Sequence, residues 1–298
     1  MKILRAEHLG MCFGVRDAIA LALREASKQP LTILGDLVHN ETVLARLRSQ
    51  GVQFQNDAAA VSTSRVMITA HGASEHKLAE IRQSGLQVLE ATCPLVHSAH
   101  RSLKTLVNEG FYPVIIGQRD HVEVRGMTED LAEFDVVLNE NEVTDLRERP
   151  CFGVVSQTTQ PIEKVRRLVQ MLRKRFPDSE IRFIDTVCQP TKQRQHAALD
   201  LAKQCDVIVV IGGAHSNNTH QLVKTCSQFC PRVHHVQTAG DLLPDWFRAD
   251  DTIGITAGTS TPDTVINEVE HWLRELVVRP AIEQNQTKET HELACRIS

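Results

Sequence analysis

One unit is written three times in this chain, and that repetition limits the fold more than any other feature. Each copy opens at a cysteine: Cys12, Cys93 and Cys188. A short apolar stretch leads into each of them, from Ile3, Val88 and Ile181 respectively. An amphipathic helix is predicted after each cysteine, over Arg16 to Ala26, His97 to Asn108 and Gln193 to Lys203. Apolar residues recur there at helical spacing, as in Ala18, Leu21 and Ala22, or Leu103, Leu106 and Val107. An apolar strand then runs into a glycine. Gly35 lies 23 residues after Cys12, Gly117 lies 24 after Cys93, and Gly212 lies 24 after Cys188. An interval held this closely in three copies is the mark of a repeated supersecondary unit.

Each glycine opens a polar loop: Asp36 to Asn40, Gln118 to Glu123, and Gly213 to Asn218. A helix and a strand follow, and a last strand leads to a second polar loop. Those loops align as Thr69 to Ser74, Val155 to Gln160, and Thr256 to Thr261. Pro161 and Pro262 stand at matching places and are expected at the first position of a helix, with Ser or Thr before them as cap. Alternating strands and helices call for parallel α/β sheets. The helix expected over Asp263 to Val278 has no strand after it, and the strand before Cys12 has no helix before it. Both gaps close if the N-terminal strand joins the third unit's sheet. The expected fold is therefore α/β, three small parallel-sheet units arranged as a pseudo-threefold ring. The units are 12–92, 93–187 and 188–278, the last completed by strand 1–11, with a polar, solvated tail over 279–298. Ligands bind at the carboxyl ends of such strands. All three cysteines and all six loops lie at those ends, so they are expected to face one cavity.

Eight cysteines raise the question of which do chemistry. No apolar run reaches the ~18 residues of a membrane helix, and no basic-then-apolar leader precedes the first motif. A cytoplasmic protein with no membrane association is expected, and there cysteines are not a disulfide framework. A net charge of -4 with only nine Phe, two Trp and one Tyr argues against nucleic acid. Cys151 and Cys205 border strands and read as core. Cys226 and Cys230 are four apart on a predicted helix and read as an apolar stripe with Leu222 and Val223. Cys295, in the tail, has no counterpart in the repeat.

The three repeated cysteines suggest a metal or a cluster. Structural zinc wants four ligands, often from closely spaced pairs, and none occurs here. A 4Fe–4S cluster is held by thiolates, and three of them leave one iron without a protein ligand. Packing of the three cysteines about the pseudo-threefold axis is the non-catalytic alternative. The loops supply what an anion needs: His39, His71 and His121, the neutral donors Ser216, Asn218 and Ser260, the hydroxyls of Thr158 and Thr159, and helix N-termini. Phosphate or diphosphate is the natural ligand. Glu123, a carboxyl beside such a site, suits proton delivery, and like charge nearby would raise its pKa.

In order along the chain, these motifs resemble a known family. They are Gly10 to Val15, Val38-His39-Asn40, Ala70-His71-Gly72, Ala91 to Val96, His121 to Val124, Gln157-Thr158-Thr159, Cys188 with Arg194-Gln195, Ser216-Asn217-Asn218, and Thr256 to Ser260. Together they resemble the 4-hydroxy-3-methylbut-2-enyl diphosphate reductases, the enzymes that end the methylerythritol phosphate route to isoprenoids. The likeness runs from about Lys2 to Leu276. It implies a pseudo-threefold fold around one 4Fe–4S cluster on Cys12, Cys93 and Cys188. It implies a diphosphate pocket from His39, His71, His121, Ser216, Asn217, Asn218 and Ser260, with Glu123 as proton source and Thr158 as relay to the substrate hydroxyl. The implied reaction removes an allylic hydroxyl with two electrons and two protons, giving isopentenyl and dimethylallyl diphosphates. Asn217, Val122 and Gln118 stand where the family commonly has Ser, Pro and His; Asn217 alters one diphosphate contact, and none of the three removes a cluster ligand or the acid. No G-x-G-x-x-G fingerprint occurs at a strand–helix junction. External one-electron donors such as ferredoxin or flavodoxin are therefore expected. A dehydrating synthase of the quinolinate type and an iron–sulfur sensor are the alternatives.

Overall fold

The computed structural model describes residues 1–276. It contains twelve strands in three parallel sheets of four. The first sheet holds β2 (Thr32–Leu34), β3 (Gln53–Gln55), β4 (Arg65–Ile68) and β5 (Gln87–Glu90) in the order β3-β2-β4-β5. The second holds β6 (Tyr112–Ile116), β7 (Asp135–Val137), β8 (Cys151–Ser156) and β9 (Glu180–Phe183) in the order β7-β6-β8-β9. The third holds β10 (Val207–Ile211), β11 (Val233–Val236), β12 (Thr252–Ala257) and, as its fourth member, β1 (Lys2–Arg5). Its order, β1-β12-β10-β11, matches the other two once β1 takes the place of β5 or β9. The expected closure of the third sheet by the chain start is thus observed, with Lys2 beside Thr252 and Arg5 beside Ile255.

Near-continuous apolar strands need cover on both faces, because successive side chains alternate. In β10, Ile208 and Val210 pack with Ala198, Leu201 and Leu222, while Val209 and Ile211 pack with Val265, Val269 and Leu273. In β6, Val114 and Ile116 meet Val165 and Leu168, while Ile115 meets Leu103 and Leu106. The covering helices include α1 (Phe13–Ala26), α2 (Glu41–Ser49), α3 (Glu75–Gln83), α4 (Pro94–Asn108), α5 (Val122–Thr128), α6 (Glu140–Thr144), α7 (Ile162–Arg175), α8 (Gln189–Ala202) and α9 (Asn217–Cys226). A tenth, α10, covers 263–276. The described residues divide into two compact units: Cys12–Gln193, with the first two sheets, and Met1–Met11 together with 194–276, with the third.

Several boundaries differ from the sequence reading. The helices after the cysteines begin three to four residues earlier, at Phe13, Pro94 and Gln189, so each cysteine stands at a helix entrance. The first turns hold only one buried residue each, Gly14, Val96 and Thr191, too few for a helical period to show. Pro161 caps α7 instead of occupying its first turn. Glu123 lies in the first turn of α5, not in the loop before it. Cys230 lies past the end of α9, yet it packs with Cys226 and Cys205 in the same apolar cluster as expected. The end of the helix expected to reach Val278, the polar tail and Cys295 lie outside the described residues. No helix among the described residues is long and apolar enough to cross a membrane.

Candidate active site

The larger unit carries the three cysteines, the three histidines and the candidate acid. Cys12 and Cys93 are the N-caps of α1 and α4, and the Cys188 carbonyl accepts the N–H groups of Thr191 and Lys192 as α8 begins. Each thiol therefore sits at the positive end of a helix, where negative charge is favoured. A Cβ added to Gly14 would stand 2.5 Å from Cys93 Sγ, so only glycine lets the first turn of α1 close on that sulfur. Burial raises the pKa of the Cys93 thiol and pushes that of Cys188 up to about 11, and each also feels the charges of Cys12 and Glu123. Cys93 and Cys188 thus both lie within electrostatic reach of Cys12 and of Glu123.

The donor set decides what the thiols fit. Sulfurs around one tetrahedral zinc, with Zn–S near 2.3 Å, are about 3.8 Å apart. Among the described residues, only His39, His71 and His121 form a ligand group whose atoms all lie within 4.8 Å of one another. At least one pair of the three sulfurs is wider than that, so the trio fits a polynuclear cluster better than a single ion. All seven cysteines among the described residues are free thiols.

The histidines come from the carboxyl ends of β2, β4 and β6. His39 and His71 stack with centroids 4.5 Å apart, and His121 meets them edge-on at 5.4 and 5.6 Å. His39 precedes Asn40, whose side chain caps α2 by accepting the Val43 N–H at 3.3 Å. His71 is followed by Gly72 at φ +79°, a left-handed turn that glycine adopts without strain. His121 caps α5, its Nδ1 accepting the Glu123 N–H at 3.2 Å. An accepting Nδ1 leaves the proton on Nε2, so this ring offers a donor, which suits an anion and not a cation. Burial first, then His39 and His121, holds His71 well below the usual histidine range. Burial first, then His39 and Arg125, lowers His121 to about 4.

Glu123 is 1% exposed. Its Oε1 accepts the Thr158 N–H at 2.6 Å, and its Oε2 accepts the Thr158 hydroxyl at 3.0 Å. Burial raises its pKa from 4.5 to about 7, against the lowering effect of both Thr158 bonds. Its elevation thus arises before any diphosphate is bound, so the like-charge argument is not needed. The Thr158 carbonyl accepts the Cys188 N–H at 2.9 Å, and the Ala70 carbonyl beside His71 accepts the Cys93 N–H at 3.0 Å. Two of the cysteines are thereby pinned by their own backbone to the residues that would handle the proton and the anion.

The smaller unit carries the other predicted residues. Ser216 caps α9, its hydroxyl accepting the Thr219 N–H at 3.3 Å, and the Asn217 side chain accepts from Gln221 at 3.3 Å. Asn218 and Ser260 are 3% and 4% exposed, yet both amide atoms of Asn218 and Ser260 Oγ lack hydrogen-bond partners. Buried polar groups are nearly always satisfied. Such orphans at strand ends are free to take a polar ligand. Gly14 lies within the motif Gly10 to Val15, but nothing in the sequence reveals its close approach to the Cys93 sulfur.

Comparison with known proteins agrees. The family model described as LytB protein matches residues 3–274. The 4-hydroxy-3-methylbut-2-enyl diphosphate reductase of Geotalea daltonii is 38% identical over 271 residues, covering 90% of this chain and 95% of its own. That of Pelobacter propionicus is 36% identical over 273 residues, covering 90% and 96%. Among solved structures, the E-1-hydroxy-2-methyl-but-2-enyl-4-diphosphate reductase of Plasmodium falciparum superposes with a TM-score of 0.85 at 27% identity, covering 91% of this chain and 87% of that one. Matched by its family model over nearly its whole described length, the chain belongs to the LytB protein family.

Proposed function

We propose that this chain carries out the reaction for which its relatives are named. It would convert (E)-4-hydroxy-3-methylbut-2-enyl diphosphate to isopentenyl and dimethylallyl diphosphates, using a 4Fe–4S cluster on Cys12, Cys93 and Cys188. The carrying observation is a buried acid, Glu123, bonded to Thr158 and within electrostatic reach of Cys93 and Cys188, which both feel Cys12 as well. When bound, the cluster supplies electrons and a Lewis-acid iron free of protein ligands.

The chain's own residues do the rest. With its pKa at about 7, Glu123 holds a proton at neutral pH in a substantial fraction of molecules. The Thr158 N–H fixes Oε1, so the proton belongs on Oε2, facing the Thr158 hydroxyl. In that state Oε2–H donates to Thr158 Oγ, which turns its own O–H toward the departing hydroxyl. The proton then passes along the pair and water leaves. His39, His71 and His121 bind diphosphate oxygens. Ser216, Asn217, Asn218 and Ser260 are what the smaller unit offers to anionic oxygen. Electrons come from a protein such as ferredoxin or flavodoxin.

Anaerobic turnover of the allylic diphosphate with reduced methyl viologen tests this reading. Two electrons consumed per product are expected. Turnover without reductant would indicate a dehydrating synthase, and reversible cluster loss without turnover a sensor.

Ligand binding should also take up protons. His71 and His121 are neutral at pH 7 in the free protein, since burial depresses both. A bound anion raises both pKa values, so affinity rises as pH falls from above the bound values toward the free ones. The limit is tenfold per pH unit for each proton. Calorimetric titration of inorganic diphosphate in buffers of different ionisation enthalpy measures the uptake, with His71→Asn as the baseline. Equal uptake in both proteins would remove His71 from the coupling.

A further inference from the structure

The entrance of α3 lies just beyond His71, and residues of the second sheet's unit hold it. The Glu75 N–H donates to Asp130 Oδ2 at 2.7 Å, and the His76 N–H donates to Asp130 Oδ1 at 2.9 Å. The Lys77 N–H donates to Ser74 Oγ at 3.1 Å, and the Ser74 hydroxyl donates to Glu129 Oε2 at 2.8 Å. The first N–H groups of any helix lack partners within it, and a carboxylate there is favoured by the helix dipole. The α3 entrance is therefore not among the helix ends open to a ligand anion. A carboxylate of the chain itself already fills it.

The helix that supplies this carboxylate also serves the site. His121 caps the start of α5 and Glu123 lies in its first turn, while Glu129 caps its end and Asp130 follows. Midway, a Cβ on Gly126 would stand 3.3 Å from Ala73 Cα, closer than an ordinary contact, so the His71 loop lies directly on the helix. The His71 and His121 rings meet with centroids 5.6 Å apart. Loop and helix thus run side by side, joined at the two rings, at Ala73 with Gly126, and at 74–76 with 129–130. Within the loop, the His71 and Gly72 N–H groups donate to the Thr69 hydroxyl and carbonyl, which hold its start. Gly72, at φ +79°, brings the conformational freedom of glycine to the middle. Asp130 and Glu129 hold the end.

We infer that Asp130, assisted by Glu129, is a positioning residue, which fixes the entrance of α3 to the end of α5 and so sets the His71 ring against His121. This rests on the diphosphate role of His71 proposed above. Neither carboxylate touches substrate in this assignment. Both act through the short backbone between His71 and Ser74, by bonds already present in the free protein.

A double-mutant cycle tests it on the anaerobically reconstituted, iron-loaded protein, reading the affinity for inorganic diphosphate by calorimetry well below the melting temperature. Asp130→Ala removes both acceptors and should weaken binding about tenfold, within the range for coupled neighbours. Asp130→Asn keeps one acceptor and should fall between. Glu129→Gln keeps an acceptor for the Ser74 hydroxyl and should bind as the parent does, whereas Glu129→Ala should bind less well. In His71→Asn, the further effect of Asp130→Ala should largely vanish. The control for a merely structural role is Glu142→Ala, which breaks another carboxylate cap, the capping box of α6 with Asn139. It should lower the melting temperature and leave the affinity unchanged. If His71→Asn binds too weakly to measure, the contrast between Asp130→Ala and Glu142→Ala decides. Parental affinity in Asp130→Ala, additive losses in the His71 cycle, or an equal loss in Glu142→Ala would overturn the positioning role while leaving the diphosphate reading intact. A parent protein that binds no diphosphate would overturn both.

Discussion

Glu123→Gln is expected to keep its iron and its diphosphate affinity, and to lose turnover by ~10²–10⁴-fold, the usual worth of a positioned proton transfer. The amide has the shape of the acid and preserves the bond to the Thr158 N–H, but has no proton of useful acidity. The parent enzyme should show a turnover that falls as pH rises through the Glu123 pKa. That value is about 7, raised by burial, so the acid form dominates below it and is lost above. In the variant this alkaline limb should disappear along with most of the rate. The comparison needs kcat profiles of both proteins from about pH 6 to 9 with saturating reductant, a window that brackets the shifted carboxyl. A variant with nearly parental turnover and an unchanged alkaline limb would place the proton source elsewhere.

Serine at Cys12, Cys93 or Cys188 should abolish iron retention, and serine at Cys151, Cys205, Cys226 or Cys230 should leave it intact. Thiol acidity does not separate the two sets. Burial pushes Cys188 to about 11, and it does the same to Cys205. Position separates them. The first three stand at helix entrances and share electrostatic neighbours, whereas Cys205, Cys226 and Cys230 pack among alanines and leucines of the third sheet. Gly14→Ala provides a stricter test because it leaves every thiol in place. Its methyl would stand 2.5 Å from Cys93 Sγ, so either α1 or the sulfur must move. Iron per chain and visible absorption after anaerobic reconstitution should both fall sharply. Retention of iron in Cys12→Ser with loss in Cys226→Ser would reverse the assignment.

The repeat was legible because intervals along a chain survive folding unchanged. The cysteine-to-glycine spacing predicted three equivalent sheets, and the lack of an apolar stretch in the sequence after Val278 predicted where β1 would pair. The cysteines, histidines and Glu123 were legible because residue type and loop position together carry chemistry. What escaped depends on contacts across the fold. Nothing near Asp130 in sequence refers to Glu75 or His76, and nothing near Gly14 refers to Cys93. The cause of the Glu123 shift was also out of reach. Burial to 1% exposure follows from α5 beginning at Val122, one residue before the acid, and helix boundaries are the least readable feature of a sequence.

The pairing of β1 with β12 sets the order in which this protein can be made. Within the first sheet, Thr32 pairs with Gln53 and Arg65 with Gln87, so its strands find partners soon after they leave the ribosome. Lys2 must wait for Thr252. The strand synthesised first is therefore the one used last. Until it docks, β12 is the open rim of a sheet, with Ile253 and Ile255 along a backbone that lacks a partner. Such a rim is a template for pairing with another chain. Closing so long a loop delays its protection, since distant contacts form late. The nascent protein is thus most exposed to self-association in the interval between the emergence of β12 and the return of its own first strand.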